Sequence, residues 1–292
     1  MNSNLLFDRA RARRNLVRAL RGGGQDFLLR LAVEGVCDRL ALVNRAFSAG
    51  LDLGTPTPLL AQALAPRILA RMAPAFETAQ GGALNLVGGE EAQPFARERF
   101  DLVVSALALQ GVNDLPGALI QARRALKPDG LFLACLVGGR SLHELRAALA
   151  AAEAELRGGA SPRVSPFADV RDMGALLQRA GLALPVADAE TTRVRYGDFF
   201  ALLADLRAMG AANALFARDR TSAPRALFLR AAEIYAEKFA DPDGRLPATF
   251  ELLYVAGWAP HESQQKPLRP GSAQMRLEDA LRGGGLKGED TP

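Results

Sequence analysis

The sequence predicts an α/β protein built on one doubly wound, seven-stranded, mostly parallel sheet. Three observations carry this. Apolar strand candidates alternate with amphipathic helices between residues 49 and 139. Those strands are continuous apolar runs, the pattern of a sheet covered on both faces. The last two strand candidates lack an immediate crossover helix, which predicts an antiparallel closing pair.

The elements follow in order. Residues 25–47 have Phe27, Leu28, Leu31, Val36 and Leu40 at helical spacing. AGLDLG (49–54) is a short strand stopped by Gly54, and LLAQAL (59–64) a helix. RILA (67–70) is a weak strand, ALNLVGG (83–89) a better one, and FDLVVSALAL (100–109) a buried one. Asn113 and Asp114 cap a helix over 115–126, and KPDG (127–130) turns into the strand 131–139. Ser141, with Glu144 three residues on, predicts a capping box for a helix over 141–156. A helix over 169–181 precedes a strand over 183–196, helices over 198–216 and 223–240, and a final strand over 248–258. The expected organisation is an N-terminal helical segment (1–48), an α/β domain (49–258) with a two-helix lid (198–240) over the ligand edge, and a polar tail (259–292) with a disordered end.

Composition narrows the function classes. The chain has 292 residues, 49% hydrophobic and 23% charged, so it is neither a disordered nor a fibrous sequence. Net charge is +4, from 36 basic against 32 acidic residues. The arginines are dispersed over helices and no aromatic residues interleave with them, so no nucleic-acid partner is expected. Two cysteines (Cys37, Cys135) and two histidines (His143, His261) are too few for a zinc cluster or a disulfide framework, and no metal is expected. The N-terminus lacks the apolar core of a secretory signal, and no apolar run approaches a membrane span. The cytoplasm is the expected compartment, with peripheral membrane association left open.

Two segments could carry chemistry. LDLGTPTPLLAQAL (51–64) is a strand, a glycine turn and a helix start, where a ligand can meet helix N–H groups. In FDLVVSALALQGVNDLPGALIQARRALKPDGLF (100–132) a buried strand ends in the small residues Ser105 and Ala106, beside which a ligand can lie.

The order of these segments, with FDLVVS…ALKPDGLF, resembles class I S-adenosylmethionine (SAM)-dependent methyltransferases. The opening LFDRARARRNLVRA and the tail GWAPHESQQKPLRPGSAQMRL (257–277) are similar to a narrower group: the methyltransferase-fold assembly factors of respiratory complex I and their bacterial relatives. The resemblance implies the Rossmann-like methyltransferase fold, SAM as cofactor and a complex I subunit as protein client. It also implies either methyl transfer or the arginine hydroxylation linked to that group. It places cofactor contacts at Asp52, Gly54, Thr55, Glu90, Ser105 and Ala106, and client contacts at Tyr196, Trp258, His261 and Gln264.

The departures fall on the cofactor contacts. The family's D/E-x-G-x-G-x-G turn reads Asp52, Gly54, Pro56, Pro58 here, and proline removes both space and an N–H. Arg71 falls near the place of the acid that accepts from ribose hydroxyls. Gly89 stands where an aspartate meets adenine, with Glu90 able to substitute after a one-residue slip. Two readings remain open: a SAM enzyme with unusual contacts, or an inactive methyltransferase fold that binds a client.

Overall fold

Seven strands build the sheet of this computed structural model, which describes residues 5–65 and 67–264: β1 (Gly50–Leu53), β2 (Ile68–Ala73), β3 (Leu84–Val87), β4 (Phe100–Ala106), β5 (Leu126–Val137), β6 (Ala183–Tyr196) and β7 (Leu246–Trp258). Their order is β3-β2-β1-β4-β5-β7-β6. β1 to β5 pair in parallel, and β7 runs antiparallel between β5 and β6. The closing pair is therefore antiparallel, as expected. The strand order reverses between β1 and β4, which opens a ligand crevice at their carboxyl ends.

Alternation along β5 divides the core in two. Leu131, Leu133 and Cys135 face one core with α2 (Phe27–Ala41), α3 (Leu59–Ala63), α5 (His143–Arg157), α7 (Phe199–Ala208) and α8 (Arg225–Phe239). Phe132, Ala134 and Leu136 face the other with α4 (Leu115–Ala125) and α6 (Val170–Arg179). Both faces are covered, which is why these strands read as unbroken apolar runs. β6 has one covered face and an open edge, and its burial alternates accordingly. β3, expected to be a good strand, is a four-residue edge with Leu84 and Val87 exposed.

Several boundaries differ from the sequence reading. A further helix, α1 (Arg9–Arg21), precedes α2; its N–H groups begin on Asp8, whose carboxylate accepts from Arg11 N. Its six arginines hide the apolar stripe. α7 ends early because Gly210 (φ +77°) turns the chain, and a Cβ there would meet Leu16 Cα of α1 at 2.9 Å. The KPDG turn is absorbed into the start of β5, with Asp129 at φ +62°. The predicted capping box does not form. α5 begins after Leu142 without a capping side chain. Ser141 Oγ instead donates to Glu251 O, and the Glu144 carboxylate accepts from Thr249, so both tie α5 to β7. Asp114 does cap α4, accepting from Gly117 N at 2.8 Å.

Residues 1–260 form one unit and 261–292 another. The expected disordered end and most of the tail signature, from 265 on, lie outside the described residues. Among the described residues no helix is long and apolar enough to cross a membrane.

Glu153 on α5 anchors the segment after that helix. Burial disfavours its carboxylate, but hydrogen bonds from Arg163 Nη2 (2.7 Å) and Ser161 N (2.8 Å) outweigh this and hold its pKa at about 2. A depressed folded-state pKa contributes stability above the ordinary carboxylate range, and that stability is lost as pH falls toward 2. Glu153→Gln is therefore expected to cost about 3 kcal/mol in urea unfolding at pH 7, a deficit that shrinks as pH is lowered from 5 toward 3.

Candidate functional site

The crevice edge brings the six predicted cofactor residues together. Asp52 lies near the end of β1 with Gly54 and Thr55 just after it, Ser105 and Ala106 end β4, and Glu90 follows β3. All six are buried. Most of their polar atoms are engaged inside the protein, and Asp52 Oδ1 is buried with no hydrogen-bond partner among the described residues. Ser105 Oγ donates to Leu53 O at 2.7 Å. Ala106 N donates to Thr55 Oγ1 at 3.1 Å.

Asp52 is paired with Arg71. The two are register partners on β1 and β2, so their side chains project to the same face. Arg71 Nε donates to Asp52 Oδ2 at 2.9 Å, Nη2 to Thr55 O at 2.6 Å, and Nη1 to Thr78 O. Neither side chain of the pair is accessible. Burial pushes the Asp52 carboxyl up to about 6 against the attraction of Arg71, and lowers Arg71. The sequence reading set Arg71 opposite a ribose. It lies instead inside β2 and turns back onto β1, so it donates to the protein and not to a ligand.

Glu90 fills the space above the glycine turn. A Cβ on Gly54 (φ +79°) would meet Glu90 Oε1 at 2.4 Å. The other carboxylate oxygen accepts from Arg9 Nη2, and Arg9 Nη1 donates to Gly111 O at 2.8 Å. Burial raises the Glu90 pKa and Arg9 opposes the rise. Arg9 was not singled out in the sequence, because nothing in a helix N-terminus rich in arginine marks one of them as reaching across the sheet.

Open volume lies to one side of these residues. A cavity of about 350 Å³ sits between the end of β5 at Val137, α5 and the lid residues Leu203, Leu206 and Phe228. A second, of about 310 Å³, sits among α1, α2 and the turn residues Pro56 and Thr57. The two-helix insertion thus covers the ligand edge. Among the described residues no group of three His, Cys, Asp or Glu is placed to hold a metal ion.

Of the predicted client contacts, Tyr196 and Trp258 lie at opposite ends of the β6–β7 pair. Tyr196 is a correction: it is buried in the core with Phe199 and Tyr235, so its ring packs the lid onto the sheet and faces no client. Trp258 ends β7 half-buried, with the Arg45 guanidinium 5.8 Å from its ring centre. In the following segment His261 is exposed, its Nδ1 lies 2.7 Å from Ser263 Oγ, and Gln264 N donates to His261 O.

Residues 51–134 match the family described as "Methyltransferase domain". "Arginine-hydroxylase NDUFAF5, mitochondrial" of Danio rerio is 36% identical over 296 aligned positions, covering 97% of this chain and 92% of the relative. The chain belongs to this family of class I SAM methyltransferase-fold proteins. Within it, the malonyl-(acyl-carrier protein) O-methyltransferase of Methylovorus sp. (strain MP688) is 35% identical, covering 87% of this chain and 90% of the relative. Among solved structures, the YcgJ protein of Bacillus subtilis has the same fold, with a TM-score of 0.53 at 14% identity over 78% of this chain and 98% of that one. SAM is the cofactor of this methyltransferase family. Around the turn after β1, Glu90 occupies the approach to Gly54, Arg71 holds one oxygen of the Asp52 carboxylate while Oδ1 is buried without a partner among the described residues, and Pro56 and Pro58 offer no N–H.

Removing one partner of a buried ion pair leaves an uncompensated charge. Arg71→Met should cost about 3–5 kcal/mol in urea unfolding at pH 7, and Asp52→Leu/Arg71→Met should recover most of it. An acid whose folded-state pKa is raised favours the fold below its unfolded pKa, and that contribution is lost as pH rises through the folded value. The Arg71→Met deficit should therefore be smaller at pH 5 than at pH 8.

Proposed function

We propose that this chain is a client-binding member of the NDUFAF5 branch, in which the methyltransferase fold has lost its adenosyl site and recognises a respiratory complex I subunit. One observation carries the reading: the cofactor cradle is filled from within, by Glu90 with Arg9 and by Asp52 with Arg71. The lid supplies a docking face, since Phe200, Phe216 and Leu229 are exposed there. Trp258 is proposed as a client contact, and so, in the following segment, are His261 and Gln264. The work is placed in the cytoplasm, at the membrane surface where such a client is assembled.

A second reading keeps SAM as a ligand and methyl transfer as the reaction. It is favoured by the 310 Å³ cavity, which touches Pro56 and Thr57 of the turn after β1. In that case binding uses the family's turn but not its acids.

Calorimetric titration separates the two. The client reading expects no saturable heat with SAM or with S-adenosylhomocysteine, while micromolar binding supports the second reading and overturns the first. For the docking face, Phe200→Asp/Phe216→Asp should abolish co-purification with a tagged complex I subunit and leave the unfolding transition within about 0.5 kcal/mol of the parent. Undiminished capture by this variant contradicts the proposed face.

A further inference from the structure

Positive charge is unevenly placed on this molecule. Helix α1 carries six arginines and no acid. Taking those six from the 36 basic residues leaves 30 against 32 acidic ones in the rest of the chain. The net positive charge therefore lies on this one helix, and the dispersion expected of the arginines fails there.

Three of the six serve the fold. Arg9 holds Glu90, Arg11 Nε donates to Asn213 O at 3.1 Å, and Arg21 Nη2 donates to Glu77 at 3.2 Å. Arg13, Arg14 and Arg18 are exposed and make no ion pair among the described residues. Asp8 attracts Arg14, but its carboxylate already accepts from Arg11 N and pairs with Arg218 at 3.2 Å. Asn15 and Ala19 are buried on the inner side of α1. Steps of about 100° per residue then set Arg13, Arg14 and Arg18 around the outward face, with the small residues Ala10 and Val17 between them. Leu5 and Leu6, which lead into the helix, are 39% and 45% exposed. The helix crosses the carboxyl edge of the sheet: Arg9 reaches Glu90 after β3 and Gly111 after β4, and Leu16 and Leu20 line the smaller cavity with Pro56.

We infer that the outward face of α1 docks on an anionic lipid bilayer, with Arg13, Arg14 and Arg18 at the phosphates and Leu5 and Leu6 in the headgroup layer. Arginines spread over a convex face with no pocket between them match a plane of negative charge. A bilayer also takes up exposed leucines, which a nucleic-acid backbone does not. Residues 8–26 contain no aromatic side chain on which bases could stack. Docking in this way turns the carboxyl edge and its cavities toward the membrane. The inference rests on the placement at the membrane surface proposed above and supplies the face for it; recognition of a client by the lid is a separate matter.

Co-sedimentation of the full chain with lipid vesicles tests this. The expected result is binding to phosphatidylcholine vesicles that contain phosphatidylglycerol, none to phosphatidylcholine alone, and release near 1 M salt, where screening shortens to about 3 Å. Arg13→Gln/Arg14→Gln/Arg18→Gln should weaken binding roughly a hundred-fold. Glutamine is as good a helix former as arginine, so the unfolding transition should not move. Arg97→Gln/Arg124→Gln/Arg179→Gln removes the same charge from exposed positions that precede β4, β5 and β6 at the amino edge, and should change binding by less than about two-fold. Leu5→Gln/Leu6→Gln should weaken it by about ten-fold. Equal binding to neutral and anionic vesicles, equal loss in the two arginine variants, or undiminished binding of the α1 variant overturns the inference, and an unchanged leucine variant overturns the placement of Leu5 and Leu6. A tighter complex with random-sequence duplex DNA than with the anionic vesicles assigns the face to nucleic acid and also overturns it. Capture of the tagged complex I subunit, read in parallel without vesicles, keeps the two readings apart. Capture without vesicle binding sinks this inference alone, and vesicle binding without capture sinks the client reading alone.

Discussion

Arg71 and Asp52 set the terms for everything around the crevice. They are register partners on adjacent parallel strands, wholly buried, on the face covered by α3. Neither charge can leave without stranding the other in a low-dielectric interior. The guanidinium also holds the Thr55 and Thr78 carbonyls, and so fixes the turn after β1 against the loop after β2. One oxygen of the acid thus serves the fold, while Asp52 Oδ1 has no partner among the described residues.

This explains the pattern of lost and kept glycines. A glycine-rich turn lets a ligand approach the backbone. Where the neighbour is the protein's own side chain, that need disappears, and Pro56 and Pro58 are tolerated. Gly54 stays because its φ is +79° and the Glu90 carboxylate lies where a Cβ would be. The N-terminal segment completes the closure. Phe7 exchanges hydrogen bonds with Asn113, Asp8 N donates to Ala214 O, and Arg9 reaches Glu90. The chain start thus laces the loop after β4 to the loop after α7, and Phe7 and Ala12 also line the larger cavity beside it.

Much of the fold was legible because its causes are local. Buried strands such as 100–106 announce themselves as unbroken apolar runs, and the missing crossover after 183–196 marked the antiparallel pair. The Asp114 cap was readable, while the Ser141–Glu144 capping box was not, because both residues bond across 105 or more positions to β7, and no local pattern encodes that. The candidate site was legible as a set of positions but not as a state. Which groups a side chain meets depends on strand register: Arg71 read as a cation facing a ligand, and register turns it onto Asp52. Tyr196 was expected among the client contacts, and packing with Phe199 and Tyr235 buries it. Arg9 was invisible, since its partner lies 81 residues away.

The most direct measurement is a high-resolution crystal structure of the full chain grown with saturating SAM. The account predicts the Glu90 carboxylate against Gly54, the Arg71 guanidinium on Asp52, and no adenosyl density along the turn after β1. Adenosyl density across Gly54, with Arg9 and Glu90 displaced to admit it, would contradict the account.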